Sequence, residues 1–235
     1  MNKSKKKHKI LALIPARSGS KRIKNKNIKL INNKPLIYYT INTAIKSKCF
    51  DKIIVSTDSK KIASISKKFG ANVPFIRPKK FSGDKDKING VVNHCLNYFI
   101  KLNICFDIIV ILQPTQPLRS IKSIKESIDK IRLNRHIDSV ISATQCGNSH
   151  PNYIFNFKKN NKLNYFKKNP YLRSQQFDKY YYRNGSIYCF RPNFFFKTKK
   201  IHNFNSSVLI TPLEESINID NHIDFELAEK IMVGK

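Results

Sequence analysis

Short, mainly apolar runs alternate along this chain with segments in which apolar residues recur every three or four positions. Residues 10–15, 53–57 and 108–112 are runs of the first kind, and the last of them is apolar throughout. A continuous apolar run of this length is typical of a strand buried on both faces, as in a parallel sheet. The alternation of such strands with helices therefore predicts an α/β fold with a doubly wound, mostly parallel sheet.

Start and stop signals place the remaining elements. Ser59 and Ser120 are suitable N-cap residues for the helices that follow them, and Asp224 is the expected cap of the last helix. Gly70 is expected to end the helix that begins after Ser59. The other predicted helices cover residues 35–48, 88–102 and 225–233, and the other predicted strands cover residues 72–76, 139–143, 186–190 and 208–211.

The alternation fails between residues 145 and 182. This stretch is rich in Asn, Lys and aromatic residues and shows no helical periodicity. Two interpretations remain open from the residues alone: a lid or an arm that makes dimer contacts, or a surface meander. A length of 235 residues suits one domain. We predict a single domain over residues 1–235, a small inserted arm over residues 145–182, and a homodimer.

The formal net charge of +30 at pH 7 raises the question of nucleic-acid binding. The basic residues are mostly lysines spread along the chain, and no known nucleic-acid-binding motif is present, so we predict no nucleic-acid partner. No apolar run approaches the roughly 20 residues that a membrane helix needs, which predicts no membrane partner. The five cysteines form no CxxC pair, as is typical of a reduced cytoplasmic protein without a zinc site.

The loop after the first strand is the strongest candidate for a binding site, because ligands of doubly wound sheets lie beyond the carboxyl ends of the strands. Its sequence contains neither GxxxxGK[ST] nor GxGxxG. Small residues let backbone N–H groups approach phosphate oxygens, and basic residues add positive charge. The small and basic residues of this loop include Ala16, Arg17, Ser20, Lys21 and Lys26. From the residues alone it is either a phosphate-binding loop or a solvated basic turn.

The block IPARSGSKRIKNKNI, at residues 14–28, closely resembles the signature of the CMP-sialic acid synthetases, also called acylneuraminate cytidylyltransferases. The resemblance extends from residue 10 to residue 231 and implies a Rossmann-like nucleotidyltransferase fold. The first loop differs from that of the related synthetases for the eight-carbon sugar acid KDO. Further segments that match the family are residues 33–36, 53–58, 77–78, 112–119, 184–188 and 219–220.

The resemblance implies an enzyme that transfers CMP from CTP to the anomeric hydroxyl of a nine-carbon, 2-keto (nonulosonic) sugar acid and releases pyrophosphate. It implies that Arg17 and Lys26 hold the CTP phosphates and the charge that develops at the α-phosphorus. It implies that Asp220 holds the Mg²⁺ cofactor, with Asn218 beside it. The implied substrate-binding residues are Ala16, Ser20, Lys21, Asn27, Arg77, Gln113, Arg173 and Asn184, of which Asn27 and Arg77 face the nucleotide and Gln113 and Asn184 face the sugar acid.

The chain departs from the family pattern in three places. Asn218 stands where the family often has the first Asp of Asp-x-Asp, and a neutral oxygen lowers the expected affinity for Mg²⁺. Residues 82–88 replace a small, hydroxyl-rich segment after Arg77. The basic residue that often precedes Asn-Gly is displaced, which leaves Arg173 or Arg183 as the clamp for the substrate carboxylate.

These departures keep two alternatives open: a KDO cytidylyltransferase, and a catalytically weakened sugar-nucleotide-binding protein. Within the leading interpretation, the segment QPTQPLR at residues 113–119 favours neuraminate or legionaminate as the acceptor. The segment KRI at residues 21–23 weakens that preference, so pseudaminate remains a candidate. The run of tyrosines at residues 180–182 is either a stacking platform or packing.

Overall fold

The computed structural model describes residues 8–81, 83, 88–167 and 173–234. The helices are α1 (Leu36–Ser47), α2 (Lys60–Lys68), α3 (Ile88–Lys101), α4 (Ile121–Leu133), α5 (Pro192–Thr198) and α6 (His222–Val233). The strands are β1 (Ile10–Pro15), β2 (Leu30–Ile31), β3 (Lys34–Pro35), β4 (Lys52–Ser56), β5 (Ile108–Leu112), β6 (Ser139–Gln145), β7 (Phe155–Phe157), β8 (Leu163–Tyr165), β9 (Tyr181–Phe190) and β10 (Ser207–Ile210).

Within the described residues, six of these strands form a central sheet in the order β10-β6-β9-β5-β1-β4. All neighbouring pairs are parallel except those that involve β9, which runs antiparallel to both β5 and β6. The central strand β5 is buried over its whole length, as its continuous apolar sequence predicts. The predicted α/β fold with a mostly parallel sheet is confirmed.

Helices cover both faces of this sheet, and β1 shows how one strand serves both. Ala12 and Ile14 of β1 join the apolar cluster that contains the buried faces of α1, α2 and α4. Leu11 and Leu13 join the cluster that contains α3 and α5. This division follows from the two-residue period of a strand, which sends successive side chains to opposite faces. The result is a three-layer structure with helices on both faces of the sheet.

The predicted caps of two helices are confirmed, and the third is corrected. The hydroxyl oxygens of Ser59 and Ser120 accept hydrogen bonds from backbone N–H groups in the first turns of α2 and α4. The last helix begins at His222, and its N-cap is Asn221 rather than Asp224. The Asp224 carboxylate instead accepts from the backbone N–H groups of Asp220 and Asn221, which completes a capping box.

One expectation about secondary structure was wrong, and one helix was not predicted. Residues 72–76 do not form a strand, although Asn72 and Ile76 make isolated parallel bridges to the β4 region. Pro74 lies between these bridges and has no N–H group to continue a ladder. Helix α5 was not predicted, because its seven residues are too few to show a helical period.

The segment at 145–182 contains a small antiparallel hairpin, β7-β8, outside the central sheet. Residues 168–172 of this predicted arm lie outside the described residues. No helix in the part of the chain that the structure describes has the length and apolar character needed to cross a lipid bilayer.

Candidate active site

A cleft of about 560 Å³ opens beyond the carboxyl ends of β1 and β5, where a doubly wound sheet is expected to bind ligands. Its walls come from the loop after β1, from the end of β5, from the segment before α6, and from Arg77, Phe81, Gly83, Ile88 and Val91. The lining residues that the sequence predicted as site residues are Arg17, Ser20, Lys21, Lys26, Asn27, Arg77, Gln113 and Asp220.

The loop after β1 is held in place by hydrogen bonds from three directions. The backbone N–H and the hydroxyl of Ser18 both donate to the carboxylate of Asp58, at 2.8 and 2.7 Å. The side-chain amide of buried Asn27 donates to the carbonyl of Arg17 at 2.9 Å. The guanidinium of Arg17 donates to the carbonyl of Gly83 at 3.2 Å. The loop is therefore a fixed wall of the cleft rather than a solvated turn.

Lys26 connects this loop to the segment before α6. Its ammonium group donates to the carbonyl of Ile219 at 2.6 Å and lies 3.2 Å from a carboxylate oxygen of Asp220. The other carboxylate oxygen of Asp220 accepts from the side-chain amide of Asn218 at 2.7 Å. Ile219 is fully buried in an apolar cluster that also contains Phe225 of α6. Ile219 thus enters the core, and the side chains of Asn218 and Asp220 on either side of it meet.

The lining of the cleft is strongly basic. Its basic side chains are Arg17, Lys21, Arg22, Lys26 and Arg77. Among the described lining residues, Asp220 alone is acidic. Arg77 is 3% exposed, and its backbone N–H donates to the carbonyl of Thr57 at 2.7 Å. Fixed positive charge in a concave, partly desolvated site attracts polyanions. The cleft is therefore suited to bind phosphate groups.

Gln113 follows β5 directly and borders a second cavity of about 620 Å³. Its backbone carbonyl accepts at 2.9 Å from the guanidinium of Arg119, which also donates to the carbonyl of Ser186 on β9 at 2.8 Å. Burial lowers the pKa of Arg119 to about 9, and Glu215 partly opposes this shift. Arg119 thus fixes the end of β5 against β9. The second cavity is lined by Ile88, Asn89, Gln113, Arg183, Tyr188, Lys200, Ile201, His202, Asn203 and Phe204.

Asn184 lies away from both cavities, in a buried hydrogen-bond network. Its side-chain oxygen accepts from the hydroxyl of Ser142 at 2.6 Å and from the backbone N–H of Ser186 at 3.0 Å. Its amide nitrogen donates to the hydroxyls of Thr144 and Thr211, both at 2.8 Å. These contacts join β6, β9 and the residue after β10.

Three further predicted residues also lie outside the linings of these two cavities. Ala16 is completely buried in the core, and its backbone N–H donates to the carbonyl of Ser56 at 2.9 Å. Arg173 is exposed on the inserted arm. Asn218 contacts the cleft through Asp220. Most of residues 82–88, which replace the family's hydroxyl-rich segment, lies outside the described residues.

Three groups that shape the two cavities were not predicted as site residues: the carboxylate of Asp58, the buried guanidinium of Arg119 and the ring of His202. Asp58 and Arg119 belong to segments that carry the family resemblance, and that was the signal that could have identified them. No pattern in the sequence marks His202, because its contacts come from a residue on a distant strand. Tyr180 and Tyr182 line neither cavity; Tyr182 donates to the hydroxyl of Ser216 at 2.9 Å.

The fold and the basic cleft define a nucleotide-binding α/β protein, and sequence comparison specifies the family. A family model described as "Cytidylyltransferase" matches residues 11–232. The chain therefore belongs to the cytidylyltransferase family, as the first-loop signature predicted.

Characterised relatives cover nearly all of this chain. It is 33% identical over 234 residues to the CMP-N,N'-diacetyllegionaminic acid synthase of Legionella pneumophila, covering 95% of this chain and 96% of that protein. It is 32% identical over 221 residues to the pseudaminic acid cytidylyltransferase of Campylobacter jejuni, covering 93% and 94%. It is also 32% identical to the N-acylneuraminate cytidylyltransferase of Escherichia coli over 97% of this chain, which spans 53% of that longer protein. These homologues are CMP-nonulosonic acid synthetases.

Solved structures confirm the fold class. A CMP:2-keto-3-deoxy-manno-octonic acid synthetase complexed with CTP superposes with a TM-score of 0.71 at 16% identity, covering 96% of this chain and 99% of the other. A cytidylyltransferase from Leptospira borgpetersenii superposes with a TM-score of 0.63 at 18% identity, covering 97% and 88%. At these identities the likeness shows a shared fold.

The position of Lys26 leads to a prediction about turnover. Replacing Lys26 with Ala removes a positive charge from the wall of the basic cleft and should lower turnover of CTP by about 10²–10³-fold, as is typical when a charge-stabilising donor is lost. Lys24→Ala is the matched control, because Lys24 is exposed on the same loop and does not line the cleft. Steady-state kinetics beside thermal melts measure the effect, and a folded Lys26→Ala protein with the parent's turnover contradicts the prediction.

Proposed function

We propose that this protein transfers CMP from CTP to the anomeric hydroxyl of a nonulosonic sugar acid and releases pyrophosphate. The observation that carries the proposal is the basic cleft at the carboxyl ends of β1 and β5, closed on one side by the contact of Lys26 with Asp220. The characterised relatives, whose names state this type of activity, cover more than nine tenths of the chain. We also propose that the protein is cytoplasmic, which its free cysteines support.

The triphosphate of CTP is the ligand that best complements the cleft. Arg17, Lys21 and Lys26 place cationic groups along the loop after β1. Asp58 holds the start of that loop through Ser18, so backbone N–H groups are fixed before the nucleotide binds. Groups fixed in advance stabilise charge without the cost of reorganising during the reaction.

In the proposed reaction, the anomeric oxygen forms a bond to the α-phosphorus while the bond from that phosphorus to the bridging oxygen breaks, and pyrophosphate leaves. Transfer of this type depends on alignment and on neutralising charge more than on covalent help from the protein. Lys26 is suited to neutralise charge because its side chain is 14% exposed and its ammonium is held at two oxygens. Arg17 is suited to the same task from the opposite end of the loop.

The donor set around Asp220 fits a Mg²⁺ ion. Mg²⁺ is usually held by one or two carboxylates together with substrate phosphates and water. Asp220 supplies one carboxylate in the cleft lining. Asn218 donates its amide N–H to that carboxylate, so it orients Asp220, while its own side-chain oxygen is buried without a hydrogen-bond partner. When bound, Mg²⁺ would neutralise part of the negative charge of the triphosphate.

The second cavity is the proposed position of the sugar acid. Gln113 borders both cavities, so a molecule in the second cavity meets the nucleotide across that side chain. Gly185 faces Gln113 with a φ of +81°, and a Cβ atom on it would lie 3.7 Å from the Gln113 amide nitrogen. That distance is an ordinary contact, so the positive φ rather than a lack of space favours glycine at this position.

A substrate panel tests the proposed function. Pyrophosphate release from CTP is measured with N-acetylneuraminate, N,N'-diacetyllegionaminate, pseudaminate and KDO. The proposal predicts release with at least one of the three nine-carbon acids and at most weak release with KDO. Release with KDO alone supports the KDO synthetase instead. CTP binding without release in any reaction supports a sugar-nucleotide-binding protein.

The Asp220 carboxylate leads to a prediction about the metal. Asp220→Asn removes the charged ligand, so it should raise the Mg²⁺ concentration for half-maximal activity and lower turnover. Asn218→Asp adds a second carboxylate and should lower that Mg²⁺ concentration. Magnesium titrations of both variants measure the effect, with Asp129→Asn on the exposed face of α4 as the control. If Asp220→Asn responds to Mg²⁺ like the parent, Asp220 is a structural partner of Lys26 and the metal is held elsewhere.

We further propose that the protein is a homodimer that uses the arm at 145–182. Support comes from large side chains exposed on or beside the β7-β8 hairpin, including Phe157 at 68% and Phe166 at 73%. Clustered exposed apolar surface often marks a contact.

Light scattering at micromolar concentration should give the mass of a dimer, and Phe157→Ser combined with Phe166→Ser should give a monomer. Leu133→Ser, at an exposed site on α4, should leave the mass unchanged; a monomeric parent contradicts the proposal.

A further inference from the structure

Residues 113–116 form a turn directly after β5, the β5 turn, which borders both cavities. Gln113 lines the basic cleft and the second cavity, and Thr115 lines the cleft. The backbone N–H of Gln116 donates to the carbonyl of Gln113 at 3.3 Å, which closes the turn. Because one short turn contributes to the walls of both cavities, its position determines how a ligand in one cavity lies relative to a ligand in the other.

On one side, the β5 turn is joined to a cation of the cleft through the backbone of Ile219. The N–H of Ile219 donates to the carbonyl of Thr115 at 2.8 Å, and the carbonyl of Ile219 accepts from the ammonium of Lys26 at 2.6 Å. Ile219 is completely buried, so the packing of the core restricts its movement. A displacement of the turn would therefore be passed on to Lys26 and to the neighbouring carboxylate of Asp220.

On the other side, Arg119 holds the same turn against β9. Its Nη2 donates to the carbonyl of Gln113 at 2.9 Å, and its Nε donates to the carbonyl of Ser186 at 2.8 Å. Ser186 lies two residues before Tyr188, which lines the second cavity. The hydroxyl of Thr40 in α1 also donates to the carbonyl of Gln113, at 3.4 Å. Because a guanidinium is planar and its N–H groups have fixed directions, its bonds fix the orientation of the turn as well as its distance from β9.

The charge of Arg119 is kept away from both cavities and from water. Arg119 is 3% exposed, lines neither cavity and forms no salt bridge with any residue that the structure describes. Its hydrogen bonds go to backbone carbonyls and hydroxyls. Burying a cation is costly, and an apolar side chain of similar size would avoid that cost. An apolar side chain could not, however, hold the carbonyl of Gln113 in a fixed direction.

We propose that Arg119 is a positioning residue for the transfer reaction: by holding the β5 turn, it aligns the acceptor in the second cavity with the nucleotide in the basic cleft. The inference rests on the proposed function, which places these two ligands on either side of Gln113. Transfer between two bound molecules depends on their alignment, and a misplacement of about 1 Å can cost about 10²-fold in rate. Loss of Arg119 should therefore impair the chemical step more than the binding of either substrate.

The kinetic test compares two arginines that both hold backbone carbonyls but differ in place. Arg191 donates to the carbonyls of Ile131 and Ile137 at the end of α4 and lines neither cavity. Arg119→Met should lower kcat by about 10–100-fold and leave the KM values of CTP and of the sugar acid within about 3-fold of the parent, because alignment rather than affinity is lost. Arg191→Met should lower the melting temperature and leave kcat unchanged. The acid used is the nine-carbon acid with which the parent releases pyrophosphate fastest.

A second substitution covers the case in which Arg119→Met does not fold. Arg119→Lys keeps the charge but loses the planar fork of donors, so kcat should fall by about 3–10-fold with KM unchanged. The positioning role is overturned if the folded variants at residue 119 keep the parent's kcat, or if their loss is confined to KM. An equal loss of kcat in Arg191→Met also overturns it, because the effect would then be one of general stability.

Amide hydrogen exchange separates this inference from the proposed function, because it needs no substrate. The N–H groups of Gln116 and Ile219 both belong to the hydrogen bonds around the β5 turn. The variants at Arg119 should speed their exchange by about 10-fold or more, and Arg191→Met should not. NMR resolves the single amides, and parent-like exchange of both in the Arg119 variants refutes the connection whatever the activity. Faster exchange, in a protein whose parent releases no pyrophosphate with any sugar acid, refutes the proposed function and supports the role of Arg119 in holding the turn.

Discussion

The contact between Lys26 and the segment at 219–220 is the interaction on which the site depends. It joins a loop near the start of the chain to residues just before the last helix, and no local structure could hold these two parts together. Its geometry is set by apolar packing, because Ile219 is buried beside Phe225 of α6 while its carbonyl faces the ammonium. The core therefore fixes the distance between the principal cation and the principal carboxylate of the cleft. A change in the packing of α6 would be transmitted directly to that pair.

Charge in the cleft is organised differently from charge on the surface. The formal net charge of +30 comes mainly from lysines spread along the chain, which create a general field without selecting a ligand. In the cleft the basic groups are held in place. The guanidinium of Arg17 donates to the carbonyl of Gly83, the ammonium of Lys26 contacts two oxygens, and Arg77 is buried. Groups held in this way can distinguish a triphosphate from other anions, whereas the surface field mainly raises the rate of encounter.

Much of the fold, and the basic residues that line the cleft, could be predicted from the sequence. The strands β1 and β5 follow from apolar runs whose burial leaves few alternatives, and the caps of α2 and α4 follow from side-chain chemistry that acts within one turn. The prediction for residues 72–76 failed because one proline outweighed the strand propensity around it. Asp224 was misassigned because Asn221, three residues earlier, could serve as the cap equally well. Contacts such as that of Arg119 with Ser186 depend on the register of β9, which no local pattern encodes.

The reversed direction of β9 has a consequence for how such a protein can diversify. A strand inserted antiparallel among parallel neighbours begins at the edge where the others end, so the arm between β6 and β9 leaves and re-enters the sheet at the site itself. Its length and sequence can change without altering the layers beneath. The described residues that line the basic cleft all lie outside that arm. A lineage can therefore lengthen, shorten or replace this excursion while the basic cleft is inherited intact.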